Sequence, residues 1–226
     1  MKVLITSGGT EEKIDGVRSL TNFSTGRTGA VIADYFADRG AEVTLLHAEK
    51  AVLPLSRQIA RIKFLTFNDL DKAIKGLLSQ ISFDAVIHTA AVSDFSVDYL
   101  IVNGQRFEPG VGKIDSGRTD DFSIHLRPNH KIVSRLREYS INQKVIIVGF
   151  KLTNTADEKV IENACLKLWQ NSPIDFLVHN DLSQITAEGH YARIFCKDGS
   201  FTQLHAKVEI AEKLYQLIGD ANDTLS

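Results

Sequence analysis

The nine residues KVLITSGGT, Lys2 to Thr10, decide how the rest of the chain is read. A short β-rich run that ends on a glycine pair is the pattern of a first strand delivering a tight turn to its carboxyl end. Working outward, residues 28 to 39 carry helical apolar spacing through Ile32, Tyr35 and Phe36, and Gly40 stops that helix. AEVTLLH (41–47) is the second strand and RIKFLTF (61–67) the third. A helix follows from an Asn68 cap to about residue 81, and then DAVIHTAA (84–91), a buried strand of the parallel type. Repeated β-α-β order predicts a parallel sheet with helices on both faces.

The rhythm breaks from Val92 to about Arg118. VNGQRFEPGVGKIDSGRTDD (102–121) mixes five glycines or prolines with polar residues and shows no period. The expectation is a long mobile loop over about 95–120, and loops of that length within compact domains are more often functional than accidental. Alternation resumes with FSIHLR (122–127), a helix through KIVSRLREYS, the strand KVIIVGF (144–150), a helix from about Ala156 to Gln170, and DFLVHN (175–180). YARIFC and SFTQL flank Asp198-Gly199 as a β-hairpin, followed by a last helix over about 206–218. The predicted fold is a single α/β domain over 1–226. It is Rossmann-like, with three layers, a mainly parallel sheet, a mobile loop and a C-terminal hairpin plus helix.

Composition narrows the function classes. With 226 residues, 43% hydrophobic and 24% charged, the chain can bury one full core. Its longest apolar runs, such as VIIV at 145–148, fall far short of the roughly 18 residues of a membrane helix. MKVLITSGG lacks the long apolar stretch and cleavage site of a leader, so the reading is a cytoplasmic protein with no membrane partner. A formal charge of −2 gives no general basic field for nucleic acid, and leaves room for local cationic pockets. Cys165 and Cys196 stand far apart and outside any C-x-x-C spacing, which indicates neither a disulfide framework nor a zinc site. No carboxylate cluster marks a resident metal.

In open parallel sheets, ligands bind beyond the carboxyl ends of the strands, which gathers SGGT (7–10), HTAAVSD (88–94), GFK (149–151) and HND (179–181). A dinucleotide site is one alternative, because a glycine turn after the first strand is expected there. However, a long insertion separates Gly8 and Gly9 from Gly26 and Gly29, so the compact G-x-G-x-x-G turn is absent, and His47 stands where a ribose-binding carboxylate is expected, with Glu49 close. DAVIHTAA resembles the fourth strand of extended short-chain dehydrogenases, which need a Tyr-x-x-x-Lys pair. The fourth residues after Tyr35, Tyr99, Tyr139, Tyr191 and Tyr215 are Arg39, Asn103, Gln143, Phe195 and Gly219. An NAD(P)-dependent reductase would thus lack its acid–base machinery. The insertion from Thr10 to Thr25 brings Arg18, Asn22 and Ser24 to a helix start, where free N–H groups and the helix dipole attract anions. Ser24 or Thr25 as a simple helix cap is the plainer alternative; together with SGGT the pattern favours a polyphosphate site.

TSGGT, IDGVRSLTNFSTGRTG, GAEVTLLHA, HTAAVSDF, GKI, VGF and HNDLS, in this order over nearly the whole chain, resemble the phosphopantothenate-cysteine ligase family. The resemblance implies a CTP-dependent ligase of coenzyme A biosynthesis that joins 4′-phosphopantothenate to L-cysteine through an acyl-cytidylate. It also implies Mg²⁺ with the nucleotide, a homodimer, and the free-standing bacterial form without a fused decarboxylase. Three residues carry catalytic roles by the same token. Asn22 matches the family asparagine of the acyl-nucleotide intermediate, Arg18 a phosphate- or carboxylate-binding arginine, and Lys113 the first lysine of a Lys-x-Lys-Lys loop. Asp115 and Ser116 stand where the later lysines belong, which keeps a catalytically inert nucleotide-binding module as a further alternative. Gly8, Gly9, Thr10, Ser24 and Gly26 take the nucleotide turn; His88, Thr89, Ala90 and Asp94 are nucleotide contacts, with Ala91 near the reacting group. His130, Lys131, Ile132 and Val133 fall at a nucleotide-binding helix start, where His130 replaces a common proline. Phe150 and Lys167 complete the set.

Overall fold

The computed structural model describes residues 1–185 and 189–225. In chain order the elements are β1 (Lys2–Ser7), β2 (Glu11–Lys13), β3 (Ser19–Thr21), α1 (Arg27–Ala37), β4 (Glu42–Ala48), β5 (Ala60–Phe64), α2 (Phe67–Gln80) and β6 (Ala85–His88). Then come β7 (Phe95–Val102), β8 (Gln105–Phe107), β9 (Phe122–Pro128), α3 (Leu136–Tyr139), β10 (Ile146–Thr153), α4 (Glu158–Gln170), β11 (Phe176–Ile185), β12 (His190–Phe195), β13 (Phe201–Leu204) and α5 (Lys207–Leu225). Eight strands form the main sheet in the order β13-β12-β11-β10-β6-β1-β4-β5. The strands from β5 to β11 pair in parallel, and β12 and β13 extend the sheet antiparallel. Strand order reverses between β1 and β6, so the chain leaves the middle of the sheet in both directions.

Two apolar layers fix the faces. Val3 and Ile5 of β1 pack with Ile32 and Phe36 of α1 and with Ile210, Leu214 and Ile218 of α5. Leu4 packs on the opposite face with Leu70, Ile74 and Leu78 of α2, Leu136 of α3 and Ile161 of α4. Strands covered on both sides need apolar residues at successive positions, which is why VLI, AVI and VIIV read as unbroken runs. The start of α2 differs from the expected Asn68 cap. Thr66 is the cap, and it forms a reciprocal box with Asp69: the Asp69 N–H donates to Thr66 Oγ1 at 3.1 Å and the Thr66 N–H to Asp69 Oδ2 at 2.9 Å. The helix expected through KIVSRLREYS is a 3-10 turn over Ile132–Arg135 and one α turn, because Ser140 is extended and the Ile141 N–H donates to the Leu78 carbonyl. The last helix continues to Leu225, beyond the expected 218.

Residues 95–128 correct the expected long loop of about 95–120. β8, β7 and β9 make a three-stranded antiparallel sheet. Asn103 (φ 48°) and Gly104 (φ 79°) form the two-residue turn between β7 and β8, and Asn-Gly is favoured there because both positions need positive φ. A register shift between Val97 and Tyr99 breaks the period of two, so FSVDYLIV does not advertise itself as a strand. The sheet does not stand alone: Ile14, from the β2–β3 insertion, shares a small core with Val97 and Leu100, lined by Phe107, Phe122 and Ile124. The insertion and the small sheet thus fold as one appendage.

Two glycines give opposite stability predictions. A Cβ on Gly76, within α2, meets nothing within 4 Å, so Gly76→Ala should stabilise by about 1 kcal/mol through helix propensity. A Cβ on Gly9 falls 2.2 Å from the Asn22 carbonyl oxygen, and Gly9→Ala should destabilise by about 1–3 kcal/mol. Urea midpoints of the two variants should move in opposite directions.

Candidate active site

At the reversal point, β1 and β6 go on pairing beyond their ends. The Ala91 N–H donates to the Gly8 carbonyl at 2.8 Å, the Thr10 N–H to the Ala91 carbonyl at 3.0 Å, and Gly9 bridges Ala91 in parallel. These bonds draw the two turns into the floor of a crevice. The start of α1 sits against it: Ser7 Oγ donates to the Gly26 carbonyl at 2.8 Å. A Cβ on Gly29 would lie 2.6 Å from Ser7 Oγ and 3.0 Å from Thr89 Oγ1. Gly26 occupies the N-cap in the left-handed conformation, φ 72°, and no side chain caps the helix. Ser24 and Thr25 therefore do not fill the cap role that the sequence left open; Thr25 Oγ1 reaches only the Arg27 N–H, at 3.4 Å. With no acidic residue in its first turn, α1 presents free N–H groups and a positive dipole end to the crevice, an arrangement suited to phosphate.

Asn22 lies at the same place. Its Nδ2 donates to the Val92 carbonyl at 3.0 Å, one residue past Ala91. Arg18 is engaged differently from the free anion-binding fork expected of it. Its Nε and Nη2 donate to the buried Asp15 Oδ2 at 2.9 and 2.6 Å, and Nη2 also to the Ile114 carbonyl at 3.0 Å. The guanidinium lies 5.5 Å from the centre of the Phe122 ring. Asp15 further accepts the N–H groups of Val17, Arg18 and Ile114. The Arg18 guanidinium and these backbone donors hold the Asp15 carboxyl well below the usual range. Within this chain Arg18 is a clasp that ties the insertion to the segment after β8. Lys113, exposed, rides on that segment, its backbone packed beside Gly16.

The β6 turn divides its predicted contacts. His88 is buried and pairs through Nδ1 with Thr6 Oγ1 at 2.9 Å, and burial lowers its pKa from 6.5 to about 4, so the ring is neutral. Thr89 Oγ1 donates to the Thr6 carbonyl at 2.7 Å, and the Ala90 N–H to Thr6 Oγ1 at 3.1 Å. His88 and Thr89 thus brace the turn with their side chains, while Ala90 and Ala91 are partly open. Asp94 is exposed and paired with Lys131. Of the four residues expected at the next helix start, Ile132 and Val133 bury their side chains in the core, and His130 is tied to α2 through Asp71 Oδ1 at 3.2 Å. Lys131 alone brings charge to the crevice mouth.

A polar chain that the sequence reading did not single out joins the appendage to the sheet. Thr10 Oγ1 donates to Ser93 Oγ at 2.8 Å; Asn129 Nδ2 donates to the Ser93 carbonyl at 3.0 Å and contacts Ser96 Oγ at 2.9 Å. Small polar residues at strand ends were its only signal, and the partners lie up to 83 residues apart.

Farther along the edge, Phe150 is half-buried on the α1–α5 face. Lys167 is not brought to the crevice. It lies in the last turn of α4, which starts at the carboxyl end of β10 and runs back to the start of β11. Beside it, Trp169 lines a groove of about 670 Å³ with Arg137, Asp175 and Lys197. That groove is at the opposite edge from every motif, and its Arg137 and Lys197 are engaged: Arg137 Nη2 and Lys197 Nζ donate to Asp175 at 2.8 and 2.7 Å. Asp181, buried within β11, braces the end of β10 by accepting from Thr153 Oγ1 and the Thr155 N–H. Burial would raise its pKa, but the Ser183 and Thr153 hydroxyls and the Thr155 and Ser183 N–H groups outweigh it and hold the carboxyl low.

The buried histidines set a pH dependence. His88 and His190 are both lowered to about 4 by burial. An unfolded histidine takes up its proton near pH 6.5, so the folded state is favoured fully above that value and loses stability as pH falls toward 4. Asp15 and Asp181, depressed in the fold, extend the loss below about pH 4. The urea midpoint should be level above about pH 7 and fall from about 6.5 downward, with a shallower fall in His88→Gln. A midpoint level down to about pH 4.5 would contradict neutral buried rings.

Residues 1–221 match the family described as DNA/pantothenate metabolism flavoprotein C-terminal domain. The chain is 31% identical over 218 residues to the coenzyme A biosynthesis bifunctional protein CoaBC of Thermococcus kodakarensis, covering 96% of this chain and 50% of that protein. It thus spans about half the length of the curated relatives it matches. The crystal structure of the DNA/pantothenate metabolism flavoprotein from Streptococcus pneumoniae is similar at a TM-score of 0.83 and 30% identity, over 97% of this chain and 99% of that one. A Cab2 mutant in complex with phosphopantothenate-cysteine shares the fold at a TM-score of 0.79 and 20% identity, over 99% of this chain and 88% of that one.

Proposed function

The chain belongs to the DNA/pantothenate metabolism flavoprotein C-terminal domain family, and we propose on that footing that it is a phosphopantothenate-cysteine ligase. In this reading it joins 4′-phosphopantothenate to L-cysteine, using CTP, as a cytoplasmic homodimer. The observation that carries the proposal is the uncapped start of α1 opening onto the β1–β6 crevice, with Asn22 held at Ala91–Val92. For the dimer, the Arg106–Tyr99–His125 stack on the outer face of the small sheet offers a surface.

The chemistry divides into two displacements. A carboxylate oxygen of phosphopantothenate attacks the α-phosphorus of CTP, and pyrophosphate leaves. The cysteine amino nitrogen then attacks the acyl carbon, loses a proton, and CMP leaves. Both steps gather negative charge, and fixed donors are the protein's main means of stabilising it. The N–H groups at the start of α1 receive phosphate oxygens, and Gly8, Gly9 and Gly26 let the turns around them close on one another, since a Cβ on each would meet Ala48, the Asn22 carbonyl oxygen and Ala51. Asn22 donates to the acyl oxygen that gains charge during amine attack. Lys113 adds a cation, and Lys131 exchanges Asp94 for a phosphate. Arg18 acts one step removed, by fixing the segment that carries Lys113. A magnesium ion accompanying the triphosphate would be held mainly by phosphate oxygens and water and would spread its charge.

Pyrophosphate release with Mg²⁺, CTP and 4′-phosphopantothenate, with and without cysteine and with ATP in parallel, tests the reading. Sustained release that requires cysteine is expected; a folded protein that releases none refutes it. Asn22→Asp should slow amide formation by about a hundredfold while the acyl-nucleotide still forms. Lys113→Gln should mainly impair pyrophosphate release, and an unchanged rate and KM for CTP would remove Lys113 from the mechanism.

A further inference from the structure

The first turn of α2 supports two walls of the crevice at once. The Phe67 N–H donates to Oε1 of the buried Glu12 in β2 at 2.7 Å, and the Leu65 carbonyl accepts the Glu11 N–H at 2.8 Å, so the insertion that carries Asn22 rests on the start of this helix. One helical turn on, Asp71 Oδ1 lies 3.2 Å from His130 Nε2 and accepts the Tyr139 hydroxyl at 3.0 Å. The Phe67 and His130 rings meet edge-on, with 5.0 Å between their centres. A carboxylate only accepts, so His130 Nε2 carries a proton and donates it. The side chains of His130 and Asp71 are 28% and 20% exposed, and a pair so open to water contributes little stability. It supplies position instead.

Two further anchors hold the ends of the segment that contains His130. On one side the Asn129 N–H donates to the Asp94 carbonyl at 2.8 Å and its Nδ2 to the Ser93 carbonyl at 3.0 Å. On the other, Ile132 is buried, and the Lys131 carbonyl accepts the Ser134 N–H at 3.1 Å and hydroxyl at 2.7 Å. Between them the chain carries one long cation, Lys131, whose ammonium pairs with Asp94 at the crevice mouth. A lysine reaches from where its backbone starts, and rotation of this short peptide about the line between its anchors is stopped by the His130 side chain. We propose that Asp71 and His130 are positioning residues for the reaction. Asp71, shared with Tyr139, holds His130, and His130 fixes the peptide from which Lys131 reaches the phosphate of an anionic substrate. This rests on the ligase reading above, in which both CTP and 4′-phosphopantothenate offer a phosphate. Neither Asp71 nor His130 touches substrate, and both act through Lys131.

KM values for CTP and for 4′-phosphopantothenate, measured separately by pyrophosphate release with Mg²⁺ and cysteine, test this. Lys131→Gln should raise at least one of the two, which identifies the phosphate that Lys131 meets. His130→Leu should raise the same KM about tenfold with kcat within about twofold of wild type, and Asp71→Ala should do likewise. His130→Gln keeps a donor for Asp71 and should restore the wild-type value. Because the pair acts through the lysine, His130→Leu added to Lys131→Gln should raise that KM no further. Nitrogen NMR of histidine-labelled wild type should show a proton on His130 Nε2, which decides the matter even if His130→Leu fails to fold. Unchanged KM values in Lys131→Gln or in folded His130→Leu and Asp71→Ala, additive effects in the double variant, or an Nε2 without a proton would each overturn this assignment alone. No release by the wild type with any nucleotide would overturn the ligase reading and this assignment with it.

Discussion

The pairing of β1 with β6, carried past both strands to Gly9 and Ala91, is the constraint on which the rest of the molecule depends. These strands stand where the sheet order reverses, so their turns diverge to opposite faces and leave a crevice between them. The continued ladder settles how wide that crevice is at its floor. It also fixes what can sit above it, since the Asn22 carbonyl lies so close to Gly9 that no side chain fits between. The insertion, the start of α1 and the β6 turn are thereby referred to one short run of backbone.

The second organising feature is the way an appendage is made rigid relative to the sheet. Ile14 brings the insertion into the small sheet's core, the pair of buried Asp15 with half-exposed Arg18 locks it to the segment carrying Lys113, and the chain from Thr10 through Ser93 to Asn129 ties both to the strand ends. A bidentate charge pair with one partner buried contributes definite geometry more than stability. In this molecule the pair fixes where a flexible lysine begins. The crevice is therefore bounded by two modules whose relative position is set by polar contacts.

Much of this was legible in the sequence, for identifiable reasons. Strands buried on both faces must be apolar at successive positions, so β1, β6 and β10 could be read directly, and Gly40 ended α1 as its left-handed conformation requires. Of the small sheet β9 was read, whereas β7 and β8 were missed because a register shift spoiled the alternation, although Asn103-Gly104 carried a hairpin signal inside the supposed loop. The cap of α2 was misplaced by two residues, because Thr66 and Asp69 act as a pair and neither marks the boundary alone. Within the site, the positions of Asn22 and Gly9 followed from the motif. The engagement of Arg18 with Asp15 and the bond between His130 and Asp71 did not, because one-dimensional spacing does not say which polar groups will meet. Lys167 lies at the far edge because α4 runs back along the sheet from the carboxyl end of β10, so a few residues along it carry a side chain to a different end of the molecule.

The course of α4 also determines what the molecule reveals about itself optically. Trp169, the chain's single tryptophan, stands near the end of that helix, packed against the α2–α4 layer at the edge where the parallel strands begin. Its emission reports whether the helix is docked on the sheet. A nucleotide seated at the carboxyl edge lies a full strand length away and gives the indole nothing new to sense. Loss of the fold is therefore visible from the native chromophore, whereas occupancy of the crevice is silent to it.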